Sequence, residues 1–315
     1  MVTVDLLTLG EAMAALRSGG PLKLGGDLRL SVAGAESNVA IGLARLGHRA
    51  RWIGRVGDDE LGALVLRTLR AEGVDVADAV VAPGELTGML LFDRAPGGTI
   101  RVHYRRAGCA GARLTPADVA PAVARGARVL HVTGITPALG DDAAAAVRYA
   151  VEGVRATGAT ICFDVNHRPK LWGRAQASAT LRPLAAEAHI VVASEDELPL
   201  VCDGPDETTR VRALLDLGAR EVVIKRGARG ASAYTGTGRY DEPALTVRVV
   251  DSVGAGDAFT AGYLSALLDG LPVQERLRRG VTLGAAAVAA HGDWEGLPTR
   301  AELDQVGHAP DETLR

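Results

Sequence analysis

Between residues 128 and 225, short apolar segments alternate with longer segments of helical length, and this alternation restricts the possible folds. The apolar segments are 128–132, 160–165, 190–193 and 221–225, and the helical segments are 141–157, 178–187 and 207–217. Strands joined by helices of this length form a parallel sheet that is covered on both faces. The sequence therefore predicts an α/β fold in which ligands bind at the carboxyl ends of the strands.

Glycines and polar residues directly follow each of these four strand segments. They occupy residues 133–135, 166–168, 194–197 and 226–230. Because the carboxyl ends of parallel strands meet at one edge of a sheet, we expect these residues to lie along a single crevice.

The first part of the chain adds further elements and interrupts the α/β rhythm. Strands are predicted at residues 2–9 and 51–57, and a helix at residues 60–72. Two alternating stretches, 87–94 and 99–106, flank the turn sequence at 95–98, which is typical of a hairpin. We expect a small β lid, inserted from about residues 12–33 and 85–107.

The composition excludes several classes of function. With 47% hydrophobic residues, residues 1–315 can bury one large core, and we expect a single domain. The net charge is −3 and no block of Lys or Arg is present, so we expect no nucleic acid and no membrane as partner. The three cysteines are far apart and form no metal or disulfide pattern, and this usage fits a reducing cytoplasm.

Residues 249–259 join a β-branched run to a turn of small residues and then to a predicted helix. In Gly254-Ala255-Gly256 a ligand can reach the backbone, and free N–H groups at a helix start attract phosphate. Asp257 opposes this attraction, because a carboxylate repels phosphate. The conflict suggests phosphoryl transfer, with the amides holding the phosphoryl group and Asp257 taking a proton from the attacking hydroxyl. An equally open alternative is that Asp257 only caps the helix.

A second polar cluster, residues 34–38, lies at the start of another predicted helix. Ser37 or Asn38 could simply cap this helix, or Gly34 and Asn38 could contact hydroxyl groups of a small polyol. The sequence lacks the Walker A pattern G-x-x-x-x-G-K-[ST], so a nucleotide phosphate would be held by another structure.

Together, residues 34–38 and 251–259 resemble the two signatures of the ribokinase-like (PfkB) carbohydrate kinases, and the resemblance extends over nearly the whole chain. It implies a three-layer α/β/α fold with a mainly parallel central sheet and a small inserted β lid. It also implies transfer of the γ-phosphoryl group of ATP to a sugar hydroxyl. Asp257 would be the catalytic base, the amides of Gly254, Ala255 and Gly256 the anion hole, and Mg²⁺ would bridge the nucleotide phosphates.

Within this family, several segments are similar to 2-keto-3-deoxygluconate kinases, which implies a sugar acid that accepts phosphate on a primary hydroxyl. The segments are residues 104–108, 134–139, 163–168, 194–197, 225–230 and 292–296. The implied substrate-binding residues are Gly34, Asn38, Tyr104, Arg106, Ile135, Arg168, Asp257 and Asp293. Arg106 and Arg168 are the candidates for the carboxylate and carbonyl of the substrate, since arginine holds a carboxylate through paired charged hydrogen bonds.

The resemblance also implies a nucleotide site along the strand exits. Its residues are Asn166, Ser194, Lys225, Gly227, Gly230, Gly254 and Gly256, with Glu197 helping indirectly to order the metal and its water. Two simpler alternatives remain open. Residues 194–197 could be a solvated helix start, and Lys225 could extend from the sheet edge into solvent.

Other functions fit parts of the sequence. By the same resemblance, Leu90 replaces a tyrosine of the sugar-acid kinases and fructokinases share the Asn166–Arg168 run, so a fructokinase or ribokinase type of neutral-sugar kinase is the alternative. A non-catalytic sensor on the same scaffold conflicts with the intact 254–257 motif. We expect a homo-oligomer formed through the lid, because an apolar hairpin needs a partner to cover one face.

Overall fold

An eight-stranded sheet runs through the centre of the structure, a computed structural model that describes residues 4–95 and 99–306. In chain order the strands of these residues are β1 (Val4–Leu9), β2 (Met13–Ser18), β3 (Leu28–Ala33), β4 (Ala50–Ile53), β5 (Arg55–Gly57), β6 (Val80–Ala82), β7 (Met89–Arg94), β8 (Ile100–Arg105), β9 (Ala127–Thr133), β10 (Thr160–Asp164), β11 (Ile190–Ser194), β12 (Glu221–Lys225), β13 (Ala231–Thr235) and β14 (Gly238–Glu242). The α-helices are α1 (Ala35–Arg45), α2 (Glu60–Ala71), α3 (Pro116–Arg125), α4 (Asp141–Arg155), α5 (Arg174–Glu187), α6 (Leu198–Val201), α7 (Glu207–Asp216), α8 (Ala255–Leu268) and α9 (Val273–Val288).

The central sheet is mainly parallel. Its strand order is β14-β13-β12-β11-β10-β9-β1-β4, and β13 and β14 add antiparallel pairs at one edge. Both β4 and β9 pair with β1, one on each side, so the strand order changes direction between β1 and β9. A crevice opens at the carboxyl ends of the strands beside such a point. The strands predicted between residues 128 and 225 are β9 to β12, and they are parallel as predicted.

Neighbouring residues on the central strands contribute to two different cores. Phe163 on β10 belongs to the core that contains residues of α3, α4 and α5, whereas the adjacent Cys162 belongs to the core that contains residues of α1, α8 and α9. A strand covered on both faces requires this alternation. The sheet therefore lies between two layers of helices, with one apolar core on each side.

A four-stranded sheet, in the order β3-β2-β7-β8, forms the lid. Strands β7 and β8 are antiparallel, as the hairpin pattern predicts, and Leu90 pairs with Tyr104. The lid has a small core of its own around Met13, Leu90 and Phe92. Of the predicted turn at residues 95–98, residues 96–98 lie outside the described residues.

The single strand predicted at residues 51–57 is wrong, because the chain there forms β4 and β5, which belong to different sheets. Gly54 separates them. A Cβ atom on Gly54 would lie 2.1 Å from the ring of Trp52 and 2.4 Å from the carbonyl oxygen of Gly10. The backbone therefore turns at Gly54 in a space that no side chain could share.

Several elements were not predicted. Helix α3 begins with a capping box between Thr115 and Asp118, a signal that was present in the sequence, and contains Pro121. The β-branched run at 249–253 is not a strand: the N–H of Val250 donates to the carbonyl of Val288 at the end of α9, and Val249 is exposed. The run therefore pairs with a helix end instead of joining a sheet.

No helix within the described residues combines the length and the apolar character that crossing a membrane requires.

Candidate active site

A cleft of about 440 Å³ lies between the carboxyl ends of the central strands and the lid. Fourteen of the residues proposed from the sequence line it, and they are Gly34, Asn38, Tyr104, Arg106, Ile135, Asn166, Arg168, Ser194, Glu197, Lys225, Gly254, Gly256, Asp257 and Asp293. Ala255, Gly227 and Gly230 do not line it. Residues that are distant in sequence thus share one concave surface, as expected for a ligand site.

Asp257 lies in the first turn of α8 and its side chain is buried. The side-chain amide of Asn38, on α1, donates to Oδ2 of Asp257 at 2.8 Å, and that of Asn166, after β10, donates to Oδ1 at 3.4 Å. Burial raises the pKa of Asp257, and the hydrogen bond from Asn38 opposes this effect. The hydrogen bonds of the Asp257 carboxylate come from Asn38 and Asn166, so it does not cap α8 through a side-chain hydrogen bond.

The start of α8 is shaped by glycine. Gly254 has a φ of 79°, in the left-handed region, and a Cβ atom there would lie 2.1 Å from the carbonyl oxygen of Asp293. The helix has no side-chain cap, so no side chain occupies the backbone N–H groups of its first turn. A Cβ atom on Gly256 would be 3.4 Å from Nζ of Lys225, which places an ammonium group beside the turn. This geometry is suited to an anion.

The ammonium group of Lys225 is paired with a carboxylate inside the protein. Its Nζ atom donates to both carboxylate oxygens of Asp164, at 2.9 and 2.8 Å, and Thr260 donates to the same carboxylate. Burial acts to lower the pKa of Lys225, but Asp164 and Glu197 outweigh burial and the pKa is raised. The lysine is therefore a fixed ammonium group in the cleft and does not extend into solvent.

Glu197 connects two strand exits. Its Oε1 accepts the backbone N–H of His167 at 2.7 Å, and its Oε2 accepts that of Ser194 at 2.8 Å. Between these segments Asn166 has a φ of 40°, which makes it the non-glycine residue with positive φ among the described residues. Such backbone strain is retained where neighbouring contacts fix it and often marks a functional site. Glu197 is thus buried and joins these two segments, and it is not part of a solvated helix start.

Glu36 was not recognised as a site residue. Its carboxylate is buried in the cleft wall, where Oε1 accepts hydrogen bonds from Thr133 at 2.6 Å and Thr136 at 2.7 Å. Burial raises the pKa of Glu36 to about 7. The sequence contained a signal for this residue. Glu36 lies in the mainly apolar segment 35–43, and an acidic residue is rarely buried without a partner.

The two proposed arginines have different surroundings. The guanidinium group of Arg106 contacts the buried carboxylate of Glu11, with Nε 2.7 Å from Oε2. Arg168 makes one side-chain hydrogen bond within the described residues, to the carbonyl of His167 at 3.4 Å. Arg168 is therefore in no ion pair within the described residues, although its charge lowers the pKa of the nearby Asp257, whereas Arg106 is already paired. Glu11 was not predicted.

Asp293 is buried in the cleft wall, and burial raises its pKa to about 7. Its carboxylate contacts the guanidinium of Arg17, which also donates to Asp251 at 3.1 Å. Neither Arg17 nor Asp251 was predicted as a site residue. The sequence gives no local signal for these pairs, because Arg17 lies more than two hundred residues away from both partners.

Gly227 begins a short 3-10 turn, Gly227–Arg229, after β12, and Gly230 follows this turn. Gly230 has a φ of 91°, and a Cβ atom there would lie 2.0 Å from the carbonyl oxygen of Glu242. Close packing against Glu242 thus explains why residue 230 is a glycine, without any contact to a ligand. Both glycines lie at the exit of the strand that ends in Lys225, outside the cleft wall.

Comparisons with known proteins show which family the chain belongs to. Residues 4–300 match the model of the pfkB family carbohydrate kinase. The 2-dehydro-3-deoxygluconokinase of Bacillus subtilis (strain 168) is 39% identical over 305 residues, 95% of this chain and 94% of that protein. That of Thermoproteus tenax is 37% identical over 312 residues, 96% of this chain and 94% of that protein. Among solved structures, a putative Ribokinase II from E. coli in complex with ATP and Mg²⁺ has a TM-score of 0.90 and 26% identity, covering 96% and 98% of the two chains.

The mainly parallel sheet, the lid and the cleft between them define a ribokinase-like sugar kinase, as the sequence predicts. The chain belongs to the pfkB family of carbohydrate kinases and is a phosphotransferase.

We predict that Gly254→Ala lowers the free energy of unfolding by about 1–3 kcal/mol, because the new Cβ atom requires a strained backbone and displaces Asp293. It should also remove most of the turnover. Urea unfolding and an assay of ADP formation measure the two effects. Gly284→Ala on α9 is the control, since its Cβ atom would lie 3.5 Å from the nearest atom, the carbonyl oxygen of Ala255. Equal stability and activity of both variants would contradict the assigned strain.

Proposed function

We propose that the protein is an ATP-dependent sugar-acid kinase that phosphorylates a primary hydroxyl group, and that its substrate is 2-keto-3-deoxygluconate. The observation that carries the proposal is the buried Asp257 carboxylate, held by Asn38 in the cleft beside the uncapped start of α8. A proton acceptor and a set of anion-binding amides are then adjacent. The two relatives named 2-dehydro-3-deoxygluconokinase support the choice of substrate.

In the proposed reaction, Asp257 accepts the proton of the attacking hydroxyl group. The hydroxyl oxygen bonds to the γ-phosphorus as the bond to the leaving ADP oxygen breaks. Asn38 and Asn166 orient the carboxylate by donating to its two oxygens. The raised pKa of Asp257 makes this carboxylate a stronger base than an exposed aspartate.

The moving phosphoryl group carries negative charge, which the start of α8 stabilises. We assign this role to the backbone amides of Gly254, Ala255 and Gly256, supported by the left-handed turn at Gly254. The ammonium group of Lys225, next to Gly256, adds a positive charge to the nucleotide side. Asn166 and Ser194 line the same side of the cleft, and we assign Gly227 and Gly230 to the loop that borders the nucleotide.

The side chains of the cleft fit a magnesium ion that is held mostly by phosphate and water. The described part of the chain contains no cluster of three or more His, Cys, Asp or Glu side chains that could bind a metal. Glu197, whose two oxygens already accept backbone N–H groups, would act on the ion through water. Mg²⁺ commonly keeps several waters and takes its other ligands from substrate phosphates. When bound, it would neutralise charge on the nucleotide.

The proposed sugar-acid site lies between the lid and the strand exits. Arg168 has no carboxylate partner among the described residues and can take the substrate carboxylate as a bidentate ligand. Arg106, paired with Glu11, and Tyr104 line the lid side, Ile135 lines the sheet side, and Gly34 lies at the start of α1. Asp293 would accept a hydrogen bond from a substrate hydroxyl.

We further propose that closure of the lid, about residues 12–33 and 85–107 of one domain, protects ATP from hydrolysis. Leu90, Phe92 and Val102 from the lid line the cleft with apolar surface. Bringing this surface over the substrate would exclude water from the phosphoryl group.

A neutral-sugar kinase of the same fold is the second candidate. It is favoured by the pairing of Arg106 with Glu11, which already satisfies one arginine, and by Leu90, which offers no hydroxyl group to an acid. An assay of ADP formation with 2-keto-3-deoxygluconate, fructose and ribose separates the two. We expect the highest kcat/KM for the sugar acid, and a higher value for fructose or ribose would replace the proposal with this alternative.

We predict that Asp257→Asn lowers kcat at least about a hundredfold while ATP affinity stays within a few-fold, because the change removes the base and keeps the side-chain size. Coupled ADP detection and isothermal titration calorimetry measure the two quantities. Asp58→Asn, at an exposed aspartate, is the control and should keep the parental turnover. Full turnover by Asp257→Asn would remove its role as base.

We predict that Arg168→Ala and Arg106→Ala each raise KM for 2-keto-3-deoxygluconate about tenfold or more, since each removes a charged hydrogen bond, with only about twofold changes for fructose or ribose. Arg105→Ala, at the exposed neighbouring arginine, is the control. Glu11→Gln combined with Arg106→Ala shows how much of the loss comes from the unpaired Glu11. Equal losses on acidic and neutral sugars would remove the carboxylate assignment.

We propose that the protein forms a homo-oligomer through the lid. Leu28 and Leu30 lie on one face of β3, with exposed fractions of 40% and 48%, and Leu24 nearby is 76% exposed. A second copy could cover this surface. Light scattering after gel filtration should show an oligomer for the parent and a monomer for Leu30→Asp, whereas Leu217→Asp, at the end of α7, should change nothing. A monomeric parent would contradict the proposal.

A further inference from the structure

Arg17 lies outside the cleft but contacts Asp293, which lines the cleft, and Asp251, which lines a neighbouring cavity. It is the next-to-last residue of β2 in the lid, and it lines a neighbouring cavity together with Asp251 and Phe92. Its guanidinium group lies over the Phe92 ring, 3.8 Å from the ring centre. Phe92 lines both cavities, so Arg17 approaches the cleft from behind this ring.

The guanidinium of Arg17 bridges two separate loops. One nitrogen donates to Oδ2 of Asp251 at 3.1 Å, and another contacts the carboxylate of Asp293. The side chain is only 12% exposed, and those of Asp251 and Asp293 are 5% and 8% exposed. Charge pairs this deeply buried hold a defined geometry, and loss of one partner leaves the others uncompensated.

Both partners of Arg17 contact the turn that precedes α8. Oδ1 of Asp251 accepts the backbone N–H of Val253 at 3.1 Å, and Asp293 packs its carbonyl group against Gly254. Val253 itself packs against the apolar core of the lid. The lid and the proposed anion-binding turn are therefore connected through one arginine and one apolar contact.

We propose that Arg17 is a positioning residue that holds the Asp293 carboxylate ionised and aimed into the cleft, and that fixes the Gly254 turn against the lid. This inference rests on the proposed function, in which Asp293 accepts a hydrogen bond from the substrate. Arg17 does not line the cleft, so it acts through Asp293 and Asp251 and does not touch the substrate.

The charges around Asp293 explain why this carboxylate needs Arg17. Asp257 on α8, Asp251 in the preceding loop and Glu295 in its own loop all face it with negative charge and raise its pKa, whereas Arg17 lowers it. Burial and these carboxylates raise the pKa to about 7 even with Arg17 present. Without the guanidinium group, protonation would begin at a higher pH, and a protonated Asp293 accepts hydrogen bonds poorly.

The substrate-free test is a carbon-detected NMR titration of the aspartate carboxyl groups. The resonance of Asp293 is identified by its loss in Asp293→Asn. Arg17→Met keeps the apolar stem over Phe92 and removes the charge, and it should raise the pKa of Asp293 by about one unit or more. Arg17→Lys keeps the charge without the bridging geometry and should give a smaller rise. Arg29→Met is the matched control. Arg29 lies on β3 directly opposite Arg17 in the strand register, and it is exposed.

The functional test is the pH dependence of kcat/KM for the sugar acid. Because the ionised form of Asp293 is the active one, activity falls as pH drops through its pKa. In Arg17→Met we expect this loss to begin about one pH unit higher, with about a fivefold lower kcat/KM at pH 7 that comes mainly from KM. In an Asp293→Asn background the same change should not move the acid limb.

Each outcome is decisive. An unchanged Asp293 titration in Arg17→Met overturns the proposal, whichever substrate the enzyme uses. A shifted titration with an unchanged pH profile shows that the ionisation of Asp293 does not govern activity, and it overturns the positioning role of Arg17 in the reaction. If no sugar of the panel yields ADP with the parent, the proposed function fails, and the NMR titration alone then decides whether Arg17 holds Asp293 ionised. If Arg17→Met does not fold, as judged by its thermal transition, the smaller shift expected in Arg17→Lys decides instead.

Discussion

The site depends on keeping a carboxylate buried beside backbone amides that attract anions. Asp257 is held there by side-chain amides from two other elements, Asn38 on α1 and Asn166 after β10. Each of these contacts spans a large separation in sequence, so the site exists only when α1, α8 and the exit of β10 are assembled. An aspartate free to rotate would instead move its charge toward solvent, because an unpaired buried charge is costly.

The same principle organises the rest of the cleft. Asp164 is paired with Lys225, Glu11 with Arg106, and Asp293 with Arg17. The first pair joins the ends of two central strands, β10 and β12, and the other two join the lid region to other loops. Polar groups fixed in this way do not have to reorganise when charge moves during a reaction, which is the main source of electrostatic catalysis. The lid participates through Arg17 and Arg106, so it contributes charge as well as apolar cover.

The sequence was sufficient for features that depend on local pattern. The strands and helices from residue 128 to 225, the exits that carry Asn166 and Lys225, and the uncapped turn at Gly254 all follow from periodicity and small residues. The sequence was not sufficient to predict which side chains pair with each other across the fold. Arg17 and Asp164 acquire their roles from residues far away in the chain, and no local pattern encodes such pairing. The sequence also did not predict that Val250, in the β-branched run before the Gly254 turn, pairs with the end of α9.

The most direct test of the account is a crystal structure with ADP, an aluminium fluoride mimic of the phosphoryl group, and 2-keto-3-deoxygluconate. The account predicts that the fluoride mimic accepts hydrogen bonds from the backbone N–H groups of Ala255 and Gly256. It also predicts an oxygen of Asp257 within about 2.6–3.2 Å of the primary hydroxyl of the sugar. A phosphoryl mimic bound away from the start of α8, or a sugar hydroxyl out of reach of Asp257, would contradict it.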